Sequence, residues 1–446
     1  MSGEPVISII GLGKLGAPMV ACFASRGFRV IGIDRNPEII DSVNSGEAPV
    51  FEPGMDSLFE KHREFISATD DYQYGILNSN ITFVVVPTPS DERGGFSLEF
   101  VLPSCREIGR ALKNKNDYHL VVLTSTVLPG ATEGQVKPLL EESSGKSSGK
   151  DFGLCYGPEF IALGSVIRDF LNPDFVLIGE SDPQAGAMLE SLYMDVCENR
   201  PPVARMSFAN AELAKLAVNT FVTTKITFAN TLARICEHLP GASVDVVTQA
   251  IGLDKRIGGK YLKGAIGYGG PCFPRDNLAF SYLAEDMGIG MTLASETDRI
   301  NREQLRYLFG IVKSRMQEGG VVGVLGLSYK PDTYVVEESQ GLLLAQMLVE
   351  EGYDVCVYDP MGMDEARTTI KGAVSFAESA DECAGKSDIV VLATPWDEFK
   401  QIPLEVFARN GPKRVVIDCW RLLDAEMCNQ VADYESLGVW HKERKD

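Results

Sequence analysis

The sequence predicts an α/β protein in which two domains with parallel sheets flank a helical middle. Short apolar runs alternate with helical stretches near both ends of the chain. The stretch 208–239 contains neither Gly nor Pro, and Gly352–Asp359 closely echoes Gly27–Asp34, so one α/β pattern occurs twice. These observations divide the chain into a first α/β domain (1–204), a helical domain (205–300) and a second α/β domain (301–446).

Composition narrows the class of protein. The 446 residues suffice for two to four domains, and 62 acidic against 42 basic residues argue against a nucleic-acid partner. No apolar run approaches the ~18 residues that span a bilayer, and the N-terminus lacks a leader pattern, so we expect no membrane association. Ten cysteines without a Cys-x-x-Cys pair indicate mostly buried thiols in a reducing, cytoplasmic compartment, and no metal site.

The first domain begins with a strand, a glycine-rich loop, a helix and a second strand. The strands are predicted at Val6–Ile10 and Arg29–Ile33, with the helix at 17–25 between them. A Ser/Gly/Lys-rich segment, Glu141–Asp151, is expected to be a surface loop. Further strands are predicted at Ile81–Val86, Leu120–Thr124 and Phe175–Ile178.

The loop Gly11-Leu-Gly-Lys-Leu-Gly16 has the spacing of a dinucleotide-binding turn. Gly11 allows the tight turn, Gly13 lets a pyrophosphate approach, and Gly16 lets helix and strand pack closely. Asp34 ends the second strand, where a carboxylate can bind ribose hydroxyls and repel a 2′-phosphate. We therefore predict NAD in preference to NADP, although the adjacent Arg35 weakens that preference. The alternative to a dinucleotide site is a glycine-rich turn with a purely structural role.

The helical middle contains a predicted helix from Phe208 to Leu239, which is too long for one face of a small domain. We expect it to span two domains or to line a subunit interface. Lys215 and Asn219 lie four residues apart and share a face, where they could hold a polarised oxygen. A solvated helix face is the alternative. Further helices are predicted at 278–287 and 298–317.

Cys272 stands apart from the other cysteines because Gly and Pro residues surround it in Gly267–Asp276. Pro274 suits the first turn of a following helix. A helix N-terminus and the nearby Arg275 would lower the pKa of the thiol and favour the reactive thiolate. Asp276 is within reach as an acid/base partner. A buried packing cysteine is the alternative. The four histidines lie in no motif, which disfavours a His–Asp alcohol dehydrogenase.

The second α/β domain lacks the Gly-x-Gly-x-x-Gly sequence. Its first strand, Val321–Leu325, is followed by Gly326-Leu-Ser instead, so we expect a scaffold for a different ligand. A helix is predicted at 342–350, and two more strands at Ile389–Ala393 and Val415–Asp418.

The chain resembles the UDP-glucose/GDP-mannose dehydrogenase family over nearly its whole length. The motifs that carry the resemblance are GLGKLG with Asp34, VVVPTP ending at Pro89, Ser125-Thr-Val, GPEF at 157–160, AELAKLAVN at 211–219, DKRIGGKYLKGAIGYGGPCFPRD at 254–276 and GLSYKPDT at 326–333. The resemblance implies two Rossmann-like domains joined by a long central helix, at least a homodimer, and oxidation of a nucleotide-sugar alcohol to a carboxylate with two NAD.

Matched position by position, the family's nucleophile falls on Cys272. Its oxyanion-stabilising lysine falls on Lys215, with Asn219 beside it. The Asp that assists acid/base chemistry matches Asp276, and the Glu positioned for thioester hydrolysis matches Glu159.

The remaining matches concern water, substrate and cofactor. Thr126 matches a threonine that helps hold the catalytic water, and Arg256 matches an arginine that often comes from the partner subunit. The implied cofactor contacts are Gly11, Gly13, Lys14, Leu15, Gly16, Asp34, Pro87, Thr88 and Thr126. The implied substrate contacts are Glu159, Phe160, Lys215, Asn219, Arg256, Lys260, Tyr268, Gly269 and Lys330.

Two departures from the family pattern bear on specificity. Leu163 replaces a second Glu after the PEF motif, and Glu337 stands where an Arg is usual. Oxidation of UDP-glucose to UDP-glucuronate is our first expectation, with TDP-glucose, GDP-mannose or a UDP-N-acetylhexosamine as other substrates. The first alternative function is a single-step β-hydroxyacid dehydrogenase, which the second α/β domain and Cys272 disfavour. The second is a non-catalytic NAD sensor, which the presence of both Cys272 and Lys215 disfavours.

Overall fold

The computed structural model describes residues 5–290 and 292–441. The chain divides into two compact units, residues 1–217 and 218–446. The three-part division at 204 and 300 stays a prediction about domains. The N-terminal segment from which we predicted no leader includes residues 1–4, which lie outside the described residues.

The first unit is built on an eight-stranded sheet. Its strands are β1 (Ile7–Ile10), β2 (Val30–Ile33), β3 (Ile66–Thr69), β4 (Ile81–Val84), β5 (Leu120–Leu123), β6 (Gly153–Tyr156), β7 (Val176–Glu180) and β8 (Val203–Met206). They lie in the order β3-β2-β1-β4-β5-β6-β7-β8. All neighbours are parallel except β6 and β7, which pair antiparallel, so the predicted parallel sheet is confirmed at every pair but that one.

Helices cover both faces of this sheet over two apolar clusters. One cluster includes Phe23, Phe83 and Phe170, and the other includes Phe152 and Tyr156. The helices are α1 (Gly16–Ser25), α2 (Pro37–Ser45), α3 (Met55–His62), α4 (Tyr72–Leu77), α5 (Val101–Leu112), α6 (Lys137–Ser144), α7 (Val166–Leu171), α8 (Pro183–Val196) and the first turns of α9 (Phe208–Glu237).

The expected loop Glu141–Asp151 is only partly a loop. Its first four residues complete α6, so the prediction is wrong for them. Pro138 lies in the first turn of this helix, and Gly145, with a left-handed φ of 68°, ends it. The Ser-rich composition led us to predict a loop, whereas Gly145 shows where the helix ends.

The second unit repeats the architecture with six parallel strands. They are β9 (Val321–Leu325), β10 (Asp354–Tyr358), β11 (Ser375–Phe376), β12 (Ile389–Leu392), β13 (Val415–Asp418) and β14 (Asp433–Ser436). Their order is β11-β10-β9-β12-β13-β14. In both sheets the strand order therefore reverses beside the first strand, at β1/β4 and at β9/β12. Parallel α/β sheets bind ligands at such switch points, beyond the carboxyl ends of the strands.

The helices of the second unit include most of α9, the long helix predicted from the sequence. The others are α10 (Val244–Gly252), α11 (Phe273–Asp286), α12 (Leu293–Arg315), α13 (Gln340–Glu350), α14 (Met363–Thr369), α15 (Ala380–Lys386), α16 (Leu404–Phe407) and α17 (Ala425–Val431). Among residues 5–290 and 292–441, no helix has both the length and the apolar character needed to cross a membrane.

Candidate active site

The three glycines of the first loop have three different environments. Gly11 adopts a φ of 92°, and a Cβ there would lie 2.6 Å from the Val85 carbonyl oxygen. A Cβ on Gly16 would lie 1.8 Å from the Gly11 carbonyl oxygen, whereas one on Gly13 would meet no atom within 4 Å. The outer glycines thus make the turn compact, and the middle one leaves open space for a phosphate at the start of α1.

Asp34 follows β2 and lies beside this loop. Its Oδ2 accepts a hydrogen bond from the Leu12 amide at 2.8 Å, and its Oδ1 accepts one from the Asn36 amide at 2.9 Å. The carboxylate is half-buried, fixed in orientation and still open on one side. The loop and this carboxylate fit the pyrophosphate and ribose of a dinucleotide.

The predicted cofactor residues after β4 and β5 are joined to each other. The Thr88 hydroxyl donates to the Thr126 carbonyl oxygen at 2.8 Å, and the Ser125 hydroxyl donates to the Val86 carbonyl oxygen at 2.6 Å. Pro87 lies in the same segment. Because β4 and β5 are parallel neighbours, these loops leave the sheet at the same edge as the glycine loop.

Glu159 and Lys215 form one cluster of the first unit. The Lys215 ammonium donates to the Glu159 carbonyl oxygen at 2.5 Å and lies 4.5 Å from the centroid of the Phe160 ring. The Tyr193 hydroxyl donates to Glu159 Oε1 at 2.6 Å. Burial raises the pKa of Glu159 to about 7, although the Tyr193 hydrogen bond and the Lys215 charge both lower it. A carboxyl group that titrates near neutrality can act as a general base.

Asn219 and Asp276 form a second cluster, in the second unit. The Asn219 amide donates to Asp276 Oδ2 at 2.6 Å, and Arg275 donates to Asp276 Oδ1 from Nε at 3.1 Å and from Nη2 at 2.9 Å. The Asp276 side chain is buried. Both carboxylate oxygens of Asp276 therefore accept hydrogen bonds from side chains, one from Asn219 and the other from Arg275.

Cys272 has the position that the sequence predicts. It is the N-cap residue of α11, with Pro274 in the first turn, and its carbonyl oxygen accepts a hydrogen bond from the Asp276 amide at 2.8 Å. Of the ten cysteines, the other nine are buried and Cys272 is exposed. Its thiol therefore lies at the positive end of a helix and within reach of a ligand.

The segment that leads to Cys272 is held against the loop after β9. A Cβ on Gly269 would lie 2.2 Å from the Glu338 carbonyl oxygen. Gln340 donates to the Tyr268 carbonyl oxygen at 3.0 Å, and the buried Tyr268 hydroxyl accepts a hydrogen bond from Asn277 at 2.8 Å. Tyr268 and Gly269 thus have packing roles in the described structure.

The remaining predicted cations differ in their surroundings. Arg256 is exposed and pairs with Asp254, with 2.6 Å between Nη2 and Oδ2. Lys260 is exposed, and Lys330 is half-buried in the loop after β9. The contacts between described residues do not bring Arg256 to the Cys272 segment, so its substrate role remains a prediction.

The second sheet keeps the glycine geometry but not the ligand-binding carboxylate. A Cβ on Gly341 would lie 1.9 Å from the Gly326 carbonyl oxygen, as the Gly16–Gly11 pair does in the first sheet. The glycines stand fifteen positions apart instead of five, and the longer loop carries Lys330. Asp359 takes the place of Asp34, but it is buried.

The protein's own groups saturate Asp359. Its Oδ2 accepts hydrogen bonds from the Leu327 and Ser328 amides and the Trp396 indole, at 2.7, 2.8 and 3.2 Å. Its Oδ1 accepts three more, from the Ser328 hydroxyl and from the amides of Met361 and Gly362. This carboxylate has no capacity left for a ribose, which agrees with the expectation of a different ligand.

The sequence did not predict the contacts of three buried polar residues near the predicted site residues. Tyr193 contacts Glu159, and Asp359 closes the second loop. Glu212 accepts hydrogen bonds from the amides of Gly130 and Thr132 at 2.6 and 2.8 Å, which fixes the turn that follows Thr126. Asp359 ends the segment that echoes Gly27–Asp34, and Glu212 lies in the AELAKLAVN motif, but neither position indicates these contacts.

Comparison with known proteins gives consistent matches along the chain. Three models of the UDP-glucose/GDP-mannose dehydrogenase family match: the NAD-binding domain at residues 6–197, the central domain at 209–303 and the UDP-binding domain at 323–425.

Individual relatives match over most of their length. UDP-glucose 6-dehydrogenase AglM of Haloferax volcanii is 36% identical, with 97% of this chain and 99% of the relative covered. GDP-mannose 6-dehydrogenase of Pseudomonas aeruginosa is 34% identical over 86% and 90% of the two chains. The structure of a UDP-glucose dehydrogenase from Pyrobaculum islandicum superimposes with a TM-score of 0.89, at 33% identity and 99% coverage of both chains.

Proposed function

The chain belongs to the UDP-glucose/GDP-mannose dehydrogenase family, and from this premise we propose that it oxidises UDP-glucose to UDP-glucuronate by a covalent route through Cys272. NAD is the cofactor of the family's N-terminal domain, and the UDP-binding domain implies a nucleotide-sugar substrate. The proposal extends this to the sugar, the covalent intermediate and the residues that act on it.

The observation that carries the proposal is the position of Cys272. It is an exposed thiol at the N-terminus of α11, in a chain whose other nine cysteines are buried. Oxidation of an alcohol to an acid needs two hydride transfers, and an aldehyde cannot give a second hydride until a nucleophile has added to it. A thiolate at this position supplies that nucleophile.

In this mechanism the residues act on the carbon that is oxidised and on the oxygen bonded to it. NAD, held at the glycine loop and Asp34, would supply the hydride acceptor in each of the two oxidations. The Cys272 thiolate adds to the aldehyde to give a thiohemiacetal, and loss of the second hydride gives a thioester. Lys215 and Asn219 stabilise the oxygen of the substrate as it gains negative charge.

Hydrolysis of the thioester requires a base to activate water. Both Glu159 and Asp276 match family residues, but their surroundings favour Glu159. Asp276 is engaged on both oxygens by Asn219 and Arg275. The pKa of Glu159 is raised to about 7 by burial, so its carboxylate is basic enough to take a proton from water near neutral pH.

UDP-glucose is favoured as the substrate because the relative from Haloferax volcanii and the structure from Pyrobaculum islandicum both carry that activity in their names. GDP-mannose is the second candidate, favoured by the 34% identical relative from Pseudomonas aeruginosa. The sugar and the nucleobase of the substrate are thus proposed from similarity to relatives, and the reaction mechanism is proposed from the residues.

We also propose a homodimer formed through α9. Phe221, Phe228 and Ile235 recur every seven residues on this helix and are 63%, 52% and 49% exposed. Seven residues are close to two helical turns, so the three side chains share one apolar face. A second copy of the chain would cover it. We assign the protein to the cytoplasm, where its many buried thiols would stay reduced.

The test is a substrate panel under limiting sugar. Purified protein and excess NAD are mixed with UDP-glucose, GDP-mannose, TDP-glucose or a UDP-N-acetylhexosamine, and NADH and product are measured together. We expect two NADH for each UDP-glucose and an acid as the product. One NADH with an aldehyde as the endpoint would refute the four-electron mechanism, and turnover of another nucleotide sugar alone would refute the substrate.

A Cys272→Ser variant tests the nucleophile. We expect it to fold and bind NAD like the wild type but to form no acid. The matched control is Glu285→Gln, which alters an exposed acidic residue near the far end of the same helix. Full acid formation by Cys272→Ser would remove Cys272 from the mechanism.

A further inference from the structure

Tyr193 is a buried tyrosine beside Glu159. It lies on α8, is 3% exposed, and packs with its ring centroid 6.3 Å from that of Phe170. Its hydroxyl donates to Glu159 Oε1 at 2.6 Å. Buried tyrosine hydroxyls require a hydrogen-bond partner, and here that partner is the carboxyl group proposed as the base.

Glu159 is held at both ends. Its main-chain carbonyl oxygen accepts a hydrogen bond from the Lys215 ammonium, and one carboxylate oxygen accepts one from Tyr193. Within the described part of the chain no hydrogen bond to Oε2 is found. Leu163 occupies the place of the family's second Glu, so the position four residues on supplies no other carboxylate.

The ionisable groups that face Glu159 come from three helices. They are Lys215 of α9, Tyr193 of α8 with Cys197 just after it, and Cys22 of α1. Burial raises the pKa of Tyr193 well above its usual value and that of Cys197 to about 12, and it also raises the pKa of Cys22. Tyr193 therefore remains a hydrogen-bond donor throughout the neutral range.

We propose that Tyr193 is a positioning residue for thioester hydrolysis: it holds Oε1 of Glu159 so that Oε2 takes a proton from the attacking water. This inference rests on the function proposed above. The water oxygen bonds to the thioester carbon, one of its protons passes to Glu159, and the carbon–sulfur bond breaks with its electron pair left on Cys272. The product leaves as the carboxylate after its remaining acid proton dissociates, and Glu159 returns its proton to solvent.

The Tyr193→Phe variant removes the hydroxyl and keeps the ring. Loss of the hydrogen bond raises the pKa of Glu159, so the acid limb of the hydrolysis rate should move to higher pH by roughly one to two units. Below that limb hydrolysis should be slower than in the wild type by about tenfold or more, and it should recover at higher pH. The two hydride transfers precede hydrolysis and should keep their rates.

The experiment is a single-turnover measurement of NADH and acid release between pH 5.5 and 9.5. Tyr118→Phe is the matched control, because the buried Tyr118 hydroxyl lacks a hydrogen-bond partner among the described residues. Glu159→Gln should release acid slowly at every pH, with no acid limb in this range.

The outcomes separate the two proposals. If the wild type forms no NADH, or only one for each sugar, the proposed function fails and the inference fails with it. If the wild type forms two and Tyr193→Phe retains the wild-type pH profile, the function stands and the inference is overturned. A fall in thermal stability of Tyr193→Phe with an unchanged profile would assign Tyr193 a structural role only.

Discussion

Asp34 and Asp359 occupy equivalent places after the second strand of each sheet, but their surroundings differ. Asp359 is buried and accepts six hydrogen bonds from the protein, three on each oxygen. Asp34 is half-buried and accepts two from neighbouring amides. The same substitution, Asp to Asn, should therefore damage folding in one unit and cofactor binding in the other.

The size of each effect follows from these contacts. In Asp359→Asn the new amide group faces three donors, and each buried donor left without an acceptor costs about 1–3 kcal/mol. A total of at least about 3 kcal/mol corresponds to a fall in Tm of roughly 6–12 °C for a unit of this size. Asp34→Asn should change Tm by less than about 3 °C but raise the Kd for NAD by about tenfold or more, because hydrogen bonds to a charged group are worth about 1.5–3 kcal/mol.

Two assays separate these outcomes. Circular dichroism during heating gives Tm for both variants and the wild type, and calorimetric titration gives the Kd for NAD. Equal losses of stability in the two variants would refute the assignment of Asp359 to the interior of its own fold. An unchanged Kd in Asp34→Asn would refute the role of Asp34 at the ribose.

Three other predictions concern assembly, local structure and pH. Phe221→Asp combined with Phe228→Asp places two charges on the apolar face of α9 and should halve the mass measured by light scattering; an unchanged mass would exclude this face as the interface. Glu212→Ala leaves the buried amide of Thr132 and the more exposed amide of Gly130 without their acceptor. It should lower the free energy of unfolding in urea by about 1–3 kcal/mol, whereas a loss below about 0.5 kcal/mol would contradict the role of Glu212 in holding this turn. Burial lowers the pKa of His119 from 6.5 to about 3. Between these pH values the unfolded chain binds a proton that the folded chain does not, so the free energy of unfolding decreases as the pH falls. The decrease reaches about 2 kcal/mol at pH 5. A His119→Gln variant should lack this part of the pH dependence, and the same slope in both proteins would show that another group causes it.

Local features of the sequence predicted the parts of the site that depend on neighbouring residues. The Gly11 to Gly16 turn and the position of Cys272 before α11 follow from glycine and proline placed within a few residues, so their geometry was readable without the fold. The repeat of Gly27–Asp34 at Gly352–Asp359 likewise predicted the second sheet, which has the same strand order.

Contacts between distant residues could not be predicted in this way. Tyr193 meets Glu159 across 34 positions, and Glu212 meets Gly130 across 82. Such pairs depend on how helices pack on the sheet, and periodicity carries no information about them. The short polar strand Asp433–Ser436 was missed for a similar reason, since pairing with β13 makes it a strand and its composition does not.

The covalent intermediate is the central claim, and its most direct measurement is the mass of the enzyme during turnover. Glu159→Gln is mixed with excess NAD and UDP-glucose, quenched in acid and digested, and the peptide that contains Cys272 is weighed. The mechanism predicts a nucleotide-sugar acyl group on that peptide, absent when NAD is omitted and absent from Cys272→Ser treated identically. An unmodified Cys272 in a sample that has formed two NADH for each active site would contradict it.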